Sequence, residues 1–138
     1  MKTIRKFLFA LVSLLLLSSV GYGQTTTLLK VDNYVNTQYK IYFVYEDSNG
    51  NQHWDTKEIY ANTTGILVTA PSNSELISFK LNTSCVSTWV NFTAGTSAEE
   101  DVDDCHQCQN GASAGYDGVY PSAPNYNTPG WLGIKCKN

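Results

Sequence analysis

Arginine is missing after Arg5, and side-chain charge of any kind is scarce, with Asp, Glu, Lys and Arg making up 15% of the chain. The sequence holds no Gly-x-Ser-x-Gly, no His-Glu-x-x-His and no glycine-rich phosphate loop. It therefore offers no nucleophile elbow, zincin helix or nucleotide cradle from which to assign a reaction. Long apolar runs are missing too. The longest, Phe7 to Leu17 interrupted by Ser13, falls short of the roughly 20 residues that span a bilayer.

That run follows the basic stretch Met1 to Lys6 and precedes small residues, with Gly21 and Gly23 at the −3 and −1 positions of a cleavage site. This is the pattern of a secretory signal peptide over 1–23, which leaves one domain over 24–138. No Cys follows the cleavage region, so a lipid anchor is not expected. The remaining chain has six Lys, no Arg and twelve acids, a net charge of −6. Nucleic acid and anionic membrane surfaces are poor partners for it, because both are gripped through Lys and Arg.

Hydrophobic alternation predicts short strands. Residues 25–31 make a first one, and Tyr39 to Tyr45 and Gln52 to Tyr60 flank Asn49-Gly50, the strongest local hairpin signal. A two-residue turn there places Tyr39 opposite Tyr60 and Tyr45 opposite Trp54, with both aromatics on the core face and His53 on the polar one. Further strands are expected at 66–69, 75–81 and 86–93. In the second of these Ile77, Phe79 and Leu81 face one way and Leu76, Ser78 and Lys80 the other. In the third Trp89 falls on an otherwise polar side. Ser97 and Glu100 form a capping-box pattern, so a short helix is expected over 98–109. From Gly111 onward the composition shifts to five glycines and three prolines, and no regular element fits Tyr116 to Pro129, so an ordered loop or extended tail is expected there. The fold class is mainly β: a small antiparallel sandwich, immunoglobulin-like or similar, with one short helix and a disulfide-tied tail. A small barrel is the alternative.

Four cysteines, Cys85, Cys105, Cys108 and Cys136, are most simply two disulfides in an exported chain. If 98–109 is helical, Cys105 and Cys108 share a face and reach different partners, giving Cys85–Cys105 with Cys108–Cys136 or the crossed version. A redox Cys105-His106-Gln107-Cys108 pair is opposed by Asp101, Asp103 and Asp104, which disfavour a thiolate. Zinc lacks a second close Cys pair, and calcium lacks a recognisable loop around those three aspartates. No cofactor or metal is expected.

Trp89, Tyr116, Tyr120, Tyr126 and Trp131 are side chains suited to stacking on a sugar or anchoring a protein contact. The leading expectation is a secreted, non-enzymatic module that binds a carbohydrate or a protein surface. The alternatives are a small hydrolase or thiol enzyme around His53 or the Cys pair, and an assembly protein whose sheet edge pairs with a neighbour.

Overall fold

The computed structural model describes residues 23–118 and 129–138. Residues 1–22, where an export signal is expected, lie outside the described residues, as do Tyr120 and Tyr126. Among the described residues nine strands follow in order: β1 (Thr25–Asn33), β2 (Tyr39–Glu46), β3 (Gln52–Ile59), β4 (Thr63–Pro71), β5 (Glu75–Thr83), β6 (Val90–Thr93), β7 (Ala98–Val102), β8 (Ala112–Asp117) and β9 (Gly130–Cys136). They form a five-stranded sheet, β4-β1-β9-β8-β7, and a four-stranded sheet, β3-β2-β5-β6. The sheets pack over one core, so the expected sandwich is present. It is not wholly antiparallel, because β1 and β9 run parallel.

The core is assembled from every second residue. Leu29 and Val31 of β1, Ile41 of β2, Leu81 of β5, and Leu132 and Ile134 of β9 are almost completely buried. Phe79 and Phe92 stack with centroids 4.8 Å apart, and Tyr116 meets Phe79 edge-on at 4.9 Å. These rings join the two sheets.

The hairpin register differs from expectation by one residue. Asp47 N donates to Asn51 O at 2.9 Å and Gly50 N to Asp47 O at 3.0 Å, while Gly50 takes the left-handed φ of 81°. The loop is thus a type I turn closed by a left-handed glycine, which spans three residues instead of two. Tyr39 therefore faces Ile59, and Tyr45 faces His53. A one-residue slip reverses every side chain of β3. Ile59 enters the core in place of Tyr60, and Trp54 emerges on the outer face, 65% exposed. Glu58 also turns outward, 3.4 Å from Lys40.

A second irregularity lies between Val44 and Tyr45 of β2, which pair with Ser78 and Leu76 of β5. The extra residue, Ile77, carries Leu76 into the core, against the simple alternation. The strand expected at 86–93 is confined to β6, with Phe92 buried and Asn91 outward.

No helix occurs among the described residues, so the helix expected over 98–109 is corrected to β7 followed by turns. Pairing with β8 outweighs the capping pattern: Ser97 Oγ donates to Asp117, Glu99 accepts from Ser113, and Asp101 pairs with Lys137 at 2.7 Å. Cys105 and His106 have φ values of 53° and 64°, which no right-handed helix allows. The loop or tail expected over 116–129 falls mostly outside the described residues, though Tyr116 and Asp117 belong to a strand. Residues 112–117 and 130–136 on either side are strands whose glycines and alanines blunt the usual apolar alternation.

Cys85 bonds to Cys105 and Cys108 to Cys136, with Cα separations of 6.0 and 5.4 Å. All four residues sit at one end of the sandwich, and no free thiol remains. The bridges span 20 and 28 residues, so each stabilises by about 3 to 4 kcal/mol on the chain-entropy model. Disulfides of this kind fit an oxidising environment. Among the described residues, no helix is long and apolar enough to cross a membrane.

At the same end Asn33 is fully buried. Its amide donates to Thr37 O at 2.8 Å and Tyr60 O at 3.0 Å, and its carbonyl accepts from Val35 N at 3.0 Å. Replacing it orphans three backbone groups. Asn33→Ala is expected to lower unfolding free energy by about 2 to 4 kcal/mol, read as a drop in urea midpoint with the m-value unchanged.

Candidate functional site

The outward residues of the four-stranded sheet lie in rows across the strands. Thr56, Tyr42, Lys80 and Asn91 form one row, and Trp54, Val44, Ser78 and Thr93 the next. Pleating places each of these side chains opposite the core. Tyr42 and Trp54, diagonal neighbours, stack at 5.2 Å with planes 17° apart. Trp89, from the turn after Cys85, meets Tyr42 edge-on at 6.4 Å.

Lys80 binds this cluster together. Its Nζ lies 4.7 Å from the Tyr42 centroid and 4.9 Å from that of Trp89. Each such contact is worth about 0.5 to 1 kcal/mol at an exposed site. The ammonium fixes two rings without covering Trp54.

Two clefts flank the cluster. One of about 460 Å³ is bounded by Gln38, Lys40, Glu58, Asn82, Ser84 and Trp89. The other, about 370 Å³, lies among Tyr42, Val44, Ser78, Lys80, Asn91 and Thr93. Side-chain amides, hydroxyls and the Lys40–Glu58 pair thus surround an aromatic centre. Such a surface can cover an apolar ring face while exchanging hydrogen bonds at the rim.

Of the residues singled out in the sequence, Trp89 belongs to this cluster. Tyr116 does not: it is 3% exposed and part of the core, where burial pushes its phenol pKa up. This corrects its expected role as an exposed aromatic. Trp131 lies on the outer face of the other sheet, 44% exposed. Its indole N–H donates to Asp32 at 2.7 Å, and the second Asp32 oxygen accepts from Gly65 N at 2.7 Å. Those two bonds, the indole's first, hold the Asp32 carboxyl below its ordinary pKa.

Trp54, Tyr42 and Lys80 were not singled out. The hairpin slip hid Trp54, which a three-residue loop ending in Gly50 would have turned outward. Alternation sets Lys80 on the side away from Phe79 and Leu81, but its meeting with Tyr42 depends on the β2–β5 pairing.

His53 sits opposite Tyr45, stacks on it at 5.3 Å, and contacts Asp47 at 2.7 Å. Asp47 also accepts from Asn49 N and Asn51 N. The His53–Asp47 contact therefore closes the hairpin loop. The Cys105 and Cys108 sulfurs are bonded to separate partners, which overturns the CxxC redox reading and leaves no thiolate for zinc. Asp103 and Asp104 accept from Cys105 N and Cys108 N of their own turn.

No family model, curated protein or solved structure matches the chain.

The Tyr42–Trp54 stack is measurable by itself. A double-mutant cycle with Tyr42→Ala and Trp54→Ala is expected to give a coupling of about 0.5 to 1.5 kcal/mol. Additive losses in urea denaturation would show that the rings do not interact in solution.

Proposed function

We propose that this chain is a secreted, non-catalytic binding module that holds a carbohydrate on the outer face of its four-stranded sheet. The observation that carries the reading is the outward cluster of exposed Trp54 with half-buried Tyr42 and Trp89, held by Lys80 between two clefts of mixed polar and apolar lining. A sugar presents an apolar C–H face and a rim of hydroxyls. The cluster offers rings for the first and Asn82, Asn91, Lys40 and Glu58 for the second. Because Lys80 already orders Tyr42 and Trp89, less side-chain entropy is lost on binding.

Catalysis is less well supported: His53 is engaged in closing its hairpin and the cysteines are bonded. The experiment is a glycan array with the oxidised chain, followed by calorimetry on the glycans retained. Trp54→Ala and Trp89→Ala are each expected to weaken binding about tenfold or more, the loss of one aromatic anchor. Unchanged affinity in both variants would overturn this placement of the site.

One observation favours a second reading, assembly through a strand edge. β4 is a nine-residue edge strand with no charged side chain and with Leu67 45% exposed. The edge strands β3 and β7 carry Asp55, Lys57 and Glu58, and Glu99, Glu100 and Asp101. Charges of that kind discourage edge pairing, and β4 lacks them. Under this reading the chain self-associates with concentration in light scattering, and Leu67→Lys abolishes that; a concentration-independent monomer removes it.

A further inference from the structure

The two sheets present their outer faces in opposite directions, and the five-stranded one carries an aromatic of its own. On that face β9 contributes Trp131, Gly133 and Lys135, and β8 contributes Ser113, Gly115 and Asp117. Gly133 and Gly115 pair directly across the strands. Two adjacent outward positions beside the indole thus lack side chains.

The six-membered ring of Trp131 lies across Gly133, where a Cβ would collide with it. Only glycine admits this pose. Among the described residues nothing approaches the corresponding position at Gly115, which leaves that part of the floor open. The indole is fixed at its other edge by Asp32, itself held by Gly65 N. A tryptophan 44% exposed is therefore locked in one orientation before any ligand arrives, which is how a stacking platform avoids the entropy of ordering.

A cleft of about 450 Å³ opens beside it, bounded by Trp131, Gly115, Ser97, Glu99 and Asp117. Carboxylates on this side accept hydrogen bonds from hydroxyls. Lys30, paired with Trp131 across β1 and β9, places a positive charge on the opposite side. That mixture of charges suits a neutral polyol better than a cation, which Lys30 would repel.

We propose that Trp131, with Gly115, Glu99 and Asp117, forms a second carbohydrate site, so that one molecule carries two sites facing apart and bridges two glycan chains. A pyranose would lay its C–H face on the indole over the glycine floor and direct hydroxyls to the carboxylates. The Trp131 site rests on its own residues, whereas the bridging of two chains rests also on the Trp54 site proposed above.

The test uses the full oxidised chain and hexasaccharides of β-linked glucose, xylose, mannose and N-acetylglucosamine, measured by calorimetry. Wild type is expected to bind two molecules of the preferred hexasaccharide. Trp131→Ala reduces this to one and abolishes crosslinking of the parent polysaccharide in light scattering, while Trp54→Ala removes only the other site. Gly115→Val separates site from scaffold. A β-branched residue suits a strand and a Cβ there meets no described neighbour, so folding is expected to persist, checked by the urea midpoint, while the Trp131 site weakens tenfold or more. If Trp131 merely shields backbone, Gly115→Val leaves binding untouched, and that result overturns the second site. So does unchanged stoichiometry in Trp131→Ala, or a wild type that binds none of the four probes. Loss of binding at Trp131 with none at Trp54 sinks the four-stranded site alone.

Discussion

The turn from Asp103 to Cys108 ties the two sheets to each other, and the rest of the sandwich depends on it. Cys105 fastens it to the segment after β5, and Cys108 to the end of β9. Polar contacts reinforce the covalent ones: Tyr39 Oη donates to Asp103 O at 2.7 Å, and Thr37 Oγ1 to Asp104 O at 2.6 Å. Burial, and after it the charges of Asp104 and Asp103, push the Tyr39 phenol pKa up, so Tyr39 remains a donor. The acidic residues that crowd the sequence here serve as acceptors for the turn's own amides. With Cys105 and His106 both left-handed, that local support is what keeps an unfavourable backbone in place.

Much of this was legible in the sequence, and the failures have physical causes. β2 and β5 were readable because one side of each is core and the other solvent. Helical spacing sends Cys105 and Cys108 to different partners, which a tight turn does as well, but it leaves the crossed pairing open. The segment is a strand and a turn, and its geometry selects Cys85–Cys105 with Cys108–Cys136. β8 and β9 were missed because Ala112, Ala114, Gly115 and Gly133 carry little apolar contrast, and their strand state comes from pairing with β7 and β1. The outward cluster was missed because it depends on loop length: one extra residue between Asp47 and Asn51 decides whether Trp54 faces the core or solvent.

The aromatic residues divide by task. Phe79, Phe92 and Tyr116 make the contact between sheets and are almost fully buried. Tyr42, Trp54 and Trp89 gather on one outer face, and Trp131 stands on the other. Inward and outward rings alternate along the same strands: Tyr42 sits beside Ile41 and Phe43, and Trp131 beside Leu132. The packing that holds β2, β3 and β9 therefore also aims Tyr42, Trp54 and Trp131, while Trp89 reaches the same face from the segment between β5 and β6.

The parallel pairing of β1 with β9 has a bearing on how the chain reaches this state. Leu29 must meet Gly130, and Asn33 must meet Ile134, so the centre of the five-stranded sheet joins the first strand to the last. The hairpin of β2 and β3 can close early, but β1 has only β4 beside it until β9 arrives. A contact pattern this non-local is slow to assemble. The four-stranded sheet is the half that can form from neighbouring segments, and the half bearing Trp131 becomes continuous only when synthesis has delivered the final strand.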